Sequence, residues 1–365
     1  PVVRDILHLG LYQIYELDKI PESAAVNESV ALAKKYCPKQ KNAPGLVNAV
    51  LRNAVRTKGT LRQPTALEDR YSHPKELIEL LGSYVGQDNL EPMLAANNDT
   101  PLTVVQVNTL RTTTDALVDT LAHEEVTAHL HPWMPDCLVL GSTGNLEQIP
   151  SFKEGLFYVQ DPASKLSVLC AKVPENAKVL DCCAAPGGKS FAAAIAMKGT
   201  GSITSCDVHE HKVGLIQNGA DRLGLTNITA RQQDATAFVP EWEGQMDVVI
   251  TDVPCSGLGI IRKKPDIRYK DLTEMAALPE LQLQILANQA RYVKPGGTLL
   301  YSTCTVLKRE NEDVVAAFLE THSDFYLEPL DLPEEFPENT SGMLTLIPGQ
   351  HDTDGFFICR LRRKA

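Results

Sequence analysis

Residues 181–190, Asp-Cys-Cys-Ala-Ala-Pro-Gly-Gly-Lys-Ser, constrain this chain more than any other stretch. The apolar run Ala177–Leu180 leads in, and the small-residue segment Phe191–Met197 leads out and stops before Gly199. A buried strand, a tight glycine turn and a helix turn backbone N–H groups and a positive helix end toward a ligand. Two glycines allow close approach to the backbone, and Pro186 fixes the turn. Such a unit belongs in an open α/β sheet.

The residues downstream carry that sheet. Strands are predicted at 178–181, 202–207, 228–232, 246–252, 297–302 and 355–360, with helices at 210–223, 281–293 and 310–320 between them. Regular strand–helix alternation predicts a doubly wound, mostly parallel sheet, Rossmann-like, over residues 159–365. Ligands of such sheets sit at the carboxyl ends of the strands. Upstream, 1–62 reads as helices only: Val2–Leu17, Glu28–Tyr36 and Leu46–Arg56, the last with Arg52 and Arg56 on one side. Three helices this short leave an apolar face partly bare, so we expect part of a larger bundle, in a chain that begins at Pro1 rather than Met. Thr60–Ala66 reads as a linker. Residues 63–158 read as a small α/β region: helices at 75–84, 88–96 and 113–123, and strands at 102–108, 137–140 and 156–160.

Three carboxylates fall where the downstream strands stop: Asp207, Asp234 and Asp252. Asp207 lies 19 residues after Gly188, close to the roughly 20-residue spacing of an acid that holds a ribose hydroxyl. Gly188-Lys189-Ser190 invites a phosphate-loop reading, but that pattern needs glycine where Cys183 stands. A dinucleotide fingerprint needs three spaced glycines, which this loop lacks. What remains is a ligand with ribose and adenine but no phosphate chain. S-adenosylmethionine fits, because its sulfonium and ammonium groups want carboxylates.

Two cysteines also fall at strand ends, Cys255 in Thr251-Asp-Val-Pro-Cys-Ser-Gly257 and Cys304 in Tyr301-Ser-Thr-Cys-Thr305. A methyl donor beside a thiolate suggests a specific chemistry. Carbon 5 of cytosine is a poor nucleophile until a thiolate adds at carbon 6. The ring then becomes an enamine that attacks an electrophilic methyl, and loss of the carbon 5 proton lets the thiol leave. The thiolate needs nearby cations, for which Lys189, Arg262, Lys263 and Lys264 are candidates. The residues alone leave open which cysteine attacks.

The set Asp181-x-Cys183-Ala-Ala-Pro-Gly-Gly-Lys189, Asp252-x-Pro-Cys-Ser256, Arg262-x-x-Pro-Asp266, Ser302-Thr-Cys304 and Glu310-Asn311 resembles the RNA cytosine-5 methyltransferases. Leu9-Gly-Leu-Tyr-Gln13, Leu46–Arg52, Tyr71-Ser-His-Pro74 and Thr353-Asp-Gly-Phe-Phe357 extend the resemblance over nearly the whole chain, and it is strongest to the bacterial enzymes acting on small-subunit (16S) ribosomal RNA. The resemblance implies a NusB-like RNA-binding bundle at the N-terminus. It implies that Cys183, Ala184, Ala185, Pro186, Gly187, Gly188 and Lys189 line the methionine and ribose side of S-adenosylmethionine. Asp207 would then hold the ribose, Asp234 would lie near the adenine, and Asp252 between cofactor and base. It makes Cys304 the nucleophile and Cys255 the residue that assists release. Gln106 replaces an arginine expected to contact RNA, and Arg111 is a candidate substitute. The alternatives are a transfer-RNA enzyme of the same family, or a ribosome-assembly RNA-binding factor with a vestigial methyltransferase domain.

Charge and cysteine usage complete the expectations. The net charge is −11, yet residues 1–65 hold ten Lys/Arg against five Asp/Glu, so a basic arm sits on an acidic body and suits local RNA contact through Arg52, Arg56, Arg262, Lys263 and Lys264. Nine cysteines, two adjacent and none in a Cys-x-x-Cys pair, argue against a disulfide framework or a metal site and for a reducing cytoplasm. No apolar run of about 18 residues is present to span a membrane. A monomer is the default expectation.

Overall fold

The computed structural model describes residues 1–60, 64–141 and 143–365. The expected boundary at 62/63 and the middle of the expected linker lie outside them. The chain divides into two compact units, Pro1–Ala66 and Leu67–Ala365.

The first unit holds three helices, Val2–Glu16, Glu22–Tyr36 and Ala43–Thr57. Ile6, Ile14, Val26, Ala33, Val47 and Leu51 form its core. Gly10 is required by close packing: a Cβ there would stand 2.6 Å from Leu51 Cδ1 and 2.7 Å from Ser29 Oγ. Leu9, Tyr12 and Leu46 remain more than half exposed.

The second unit contains two sheets. The smaller comprises β1 (Thr103–Val107), β2 (Ala128–Leu130), β3 (Cys137–Leu140) and β4 (Phe157–Val159) in the order β2-β3-β1-β4, all antiparallel. Helix Thr114–His123 covers it through Leu117 and Leu121. The larger comprises β5 (Lys178–Asp181), β6 (Ser202–Asp207), β7 (Ile228–Gln232), β8 (Met246–Asp252), β9 (Val293–Thr303), β10 (Phe325–Leu327), β11 (Met343–Leu346) and β12 (Phe356–Arg363). Its order is β10-β12-β9-β8-β5-β6-β7, with β11 paired to β12. Strands β5 to β9 run parallel, and β12 runs antiparallel to β9. This is the doubly wound, Rossmann-like class expected. Val179 and Val248 feed one core, Leu180 and Val249 the other, because successive strand residues face opposite layers.

The order reverses between β5 and β8, the point where open α/β sheets bind ligands. Gly187, at φ +116°, starts the helix Gly188–Ala196. The glycines serve internal packing more than ligand approach. A Cβ on Gly187 would stand 2.3 Å from the Phe191 ring, and one on Gly188 would stand 3.2 Å from Gln160 Nε2.

The helices Lys75–Val85 and Gln87–Ala96 pack away from the small sheet. Leu77, Leu81, Leu90, Met93 and Leu94 share a core with Leu258, Ile261, Ile267, Val306 and Leu307. They therefore lie beneath the loops that follow β8 and β9.

Candidate active site

The first strand of the parallel sheet ends on a buried polar chain. Ser190 Oγ donates to Asp181 Oδ2 at 2.7 Å and lies 2.7 Å from Ser205 Oγ. Asp181 is fully buried and its Oδ1 has no partner. Burial raises its pKa to about 7, against the pull of the Ser190 hydrogen bond. Asp207, at the end of β6, is also buried; its Oδ1 accepts from His209 N at 3.0 Å and lies 3.8 Å from Lys212 Nζ.

Asp252 ends β8 between two donors. Its Oδ2 is 2.7 Å from Lys189 Nζ, and its Oδ1 accepts from Ser302 Oγ at 2.8 Å. Lys189 is 7% exposed, also donates to Ser164 Oγ at 3.0 Å, and sits 4.9 Å from the centre of the Phe356 ring. Expected as a cation for the thiolate, Lys189 makes its ion pair with Asp252.

Cys255 Sγ and Cys304 Sγ lie 3.2 Å apart. They come from loops after adjacent strands, and a buried network ties those loops together. Glu310 Oε2 accepts from Ser256 N at 2.9 Å and from Gln282 Nε2 at 2.9 Å. Ser256 Oγ bonds Thr305 Oγ1 at 2.8 Å, and Asn311 bonds Thr303 Oγ1 at 2.6 Å and Thr305 O at 3.0 Å. This role explains why the helix expected at 310–320 begins at Glu312 instead. The Cys255 thiol is pushed well above its ordinary range by its bond to Cys304, by burial and by the charges of Glu310 and Asp252.

One cavity of about 590 Å³ joins these parts. Cys183, Ala185 and Asp207 line one region; Asp252, Cys255 and Cys304 line the next; the loop from Gly257 to Lys270 forms the remaining wall. Other expected residues lie elsewhere. Asp234 is exposed and its Oδ1 caps Thr236 N at 2.8 Å, so the carboxyl closes a turn instead of facing the cavity. Ala184, Pro186, Gly187 and Gly188 shape the turn behind the lining. Lys263 is held by Asp161 at 2.8 Å and Asp354 at 2.7 Å, and Arg262 lies 3.6 Å from Asp354. These two cations are internal ties, and Lys264 is the member of the trio outside an ion pair among the described residues. Arg52 and Arg56 line a separate groove within the helical unit.

Ser164, Gln282 and Asp161 carry no signal in the sequence, and Ser302 and Asp354 are visible there only as members of motifs, without their roles. Ser164 and Asp161 belong to helix Pro162–Ala171 and its N-cap, a segment buried on several sides with no helical period to reveal it. Gln106 is fully buried in β1, where its Nε2 donates to Gln160 O at 3.0 Å. A side chain there faces the interior rather than RNA. Arg111, the suggested substitute, bonds Glu154 O.

Residues 168–362 match the family described as 16S rRNA methyltransferase RsmB/F. Residues 1–56 match the NusB family, and 73–147 an RsmF/B-like ferredoxin-like domain. The chain belongs to the RsmB/F methyltransferase family. It is 38% identical to the probable ribosomal RNA small subunit methyltransferase B of Bacillus subtilis, over all of this chain and 83% of that protein. It is 32% identical to ribosomal RNA small subunit methyltransferase B of Salmonella typhi, over 99% and 82%. A solved methyltransferase homolog protein from Pyrococcus horikoshii superimposes with a TM-score of 0.68 at 26% identity, covering 81% of this chain and 97% of that one. As an RsmB/F methyltransferase the chain uses S-adenosylmethionine. The site fits that cofactor: carboxylates stand at the strand ends, and Lys189 is engaged by Asp252 rather than free for a phosphate chain. No group of three or more His, Cys, Asp or Glu among the described residues is arranged to hold a metal, and no helix of the described residues is long and apolar enough to cross a membrane.

Proposed function

We propose that this protein methylates carbon 5 of a cytosine in small-subunit ribosomal RNA, with Cys304 as nucleophile and Cys255 assisting its release. The observation that carries the proposal is the 3.2 Å thiol pair, in the cavity that also reaches Asp207 and the Cys183 loop. The Cys183–Lys189 loop and Asp252 hold S-adenosylmethionine, and Asp207 its ribose; the cofactor supplies an electrophilic methyl group. The target base enters unstacked, because its carbon 6 must reach a thiol inside a cavity.

The two thiols divide the work. The Cys255 thiol is kept in its neutral form by its bond to Cys304, by burial and by two neighbouring acids. It lies 3.2 Å from the Cys304 sulfur, and Cys304 adds to carbon 6 as its own proton passes to solvent. Carbon 5 becomes nucleophilic, is methylated, and gives up its proton to a water molecule in the cavity. Cys304 then departs as a thiolate, and the Cys255 S–H meets the leaving sulfur as it met the attacking one. Asp252, held by Lys189 and Ser302, offers a carboxylate to the cytosine amino group, a pairing that rejects uracil. The ribosomal target is supported by the relatives' names.

The test is methyl transfer to 16S ribosomal RNA from labelled S-adenosylmethionine. Cys304→Ala should abolish it, and Cys255→Ala should accumulate a denaturation-resistant protein–RNA adduct. Full activity of Cys304→Ala would refute the assignment.

A further inference from the structure

The segment from Lys264 to Lys270, most of which lines the cavity, also carries an aromatic ring beside the lining that the chemistry above does not use. Tyr269 is 70% exposed, the highest value among the large hydrophobic side chains of the described residues. Its backbone is nonetheless pinned on both sides. Ile267 is buried in the core shared with Leu77 and Met93. Arg268, 8% exposed, donates to Ser72 O at 2.9 Å and to Asn98 Oδ1 at 3.1 Å. Lys270 N closes the turn on Ile267 O at 3.1 Å. A tyrosine on a loose loop needs no explanation; one displayed by a turn whose neighbours are buried is held in a fixed place.

That place is next to the cavity: Tyr269 does not itself line it, but Ile267 and Lys270 on either side of it do. Lys264, Asp266 and Lys270 line the cavity on either side of Tyr269. Lys264 and Lys270 have no carboxylate within 4.0 Å among the described residues, whereas Arg262 and Lys263 beside them are paired. An exposed ring flanked by unpaired lysines is the arrangement that binds single-stranded nucleic acid, the base on the ring and the phosphates on the cations. Asp266 keeps the mouth from being uniformly basic, so the ring rather than net charge must carry the selectivity.

We propose that Tyr269 is a stacking platform for a nucleotide next to the target cytosine in unpaired RNA, with Lys264 and Lys270 on its backbone phosphates. The inference rests on the RNA-methyltransferase reading above. It also gives the Tyr71-Ser-His-Pro74 turn and Asn98 a purpose: they anchor Arg268 and so position the platform.

The experiment compares the full chain with Tyr269→Ala and Tyr269→Phe for methyl transfer to a 16S ribosomal RNA transcript. Loss of one stacked base should raise KM for RNA about tenfold in Tyr269→Ala, with kcat and calorimetric affinity for S-adenosylmethionine unchanged. Tyr269→Phe, which keeps the ring, should stay within about twofold of the parent protein. Lys264→Ala and Lys270→Ala should each reduce the slope of log KM against log salt by about 0.7. An active parent protein with an unchanged KM in Tyr269→Ala, or a Phe variant as impaired as the Ala variant, overturns the platform alone. A parent protein that transfers no methyl group to RNA overturns the underlying reading and the platform with it.

Discussion

Replacing Glu310 tests whether the buried tie between the two cysteine loops is what brings the thiols together. The side chain is fully buried, and its Oε2 accepts from Ser256 N and from Gln282 Nε2, each at 2.9 Å. Glu310→Ala strands both donors. An unsatisfied buried donor costs about 1–3 kcal/mol, so the variant should lose about 2–6 kcal/mol of stability. Glu310→Gln keeps an acceptor oxygen and should lose about 1–2 kcal/mol. The catalytic effect should exceed the effect on stability, since Ser256 adjoins Cys255 and a misplacement of about 1 Å can cost 100-fold in rate. Urea midpoints give the first quantity. The second is the yield of covalent RNA adduct when each change is combined with Cys255→Ala. Removing the Glu310 charge also relieves one cause of the raised Cys255 pKa, so thiol alkylation of Cys255 in Glu310→Gln should begin at lower pH. If Glu310→Ala unfolds within about 1 kcal/mol of the parent and forms adduct normally, the tie does not position the thiols.

Other outcomes follow from the same geometry. Lys189→Met frees the Asp252 carboxyl from its 2.7 Å partner, and methyl transfer should fall more than about tenfold, since breaking a mostly buried pair leaves an uncompensated charge; unchanged kcat/KM would contradict this. Asp181 titrates near 7 when folded against an ordinary 3.8, so the folded state holds the extra proton between those values. Stability should therefore fall as pH rises through that window, by up to about 1.4 kcal/mol per pH unit. Asp181→Asn keeps the Ser190 hydrogen bond and should flatten that slope; parallel urea midpoints for parent and variant from pH 4 to 7 would remove the argument. Gln106→Arg should destabilise the fold rather than add an RNA contact, because position 106 is fully buried and an unpaired buried charge is costly; an unchanged urea midpoint with a lower KM for RNA would show that the side chain reaches the surface.

The sheet was legible where the physics is local. Strands β5 to β8 match their predicted limits residue for residue; β5, β6 and β8 are largely buried and bounded by turns, and the mostly exposed edge strand β7 is bounded by turns as well. Strand β9 did not: it begins at Val293, before Pro295 and Gly296, where pairing with β8 continues past a bulge that sequence periodicity cannot show. The three-residue strands β2 and β10 carry too few side chains for a period to register. Helix Pro162–Ala171 was hidden for the opposite reason, being apolar around most of its circumference.

The site was legible as residue types at strand ends, but its partners were not, because hydrogen bonds between residues such as Ser256 and Glu310 leave no spacing signal. Cations show the same limit most clearly. Arg262, Lys263 and Lys264 form one basic run, yet Asp161 and Asp354 claim the first two and leave the third at the cavity mouth. A charge run in sequence thus overstates the surface available to RNA. Those ion pairs hold the Gly257–Lys270 wall at one point, and Arg268 on Ser72 and Asn98 holds it at another. Two anchors on so short a wall imply that it is set before the base arrives. Lys263→Met should then raise KM for RNA and leave the Cys304 adduct chemistry intact once RNA is saturating. An unchanged KM, or an adduct defect that persists at saturating RNA, would show that the wall is not fixed in this way.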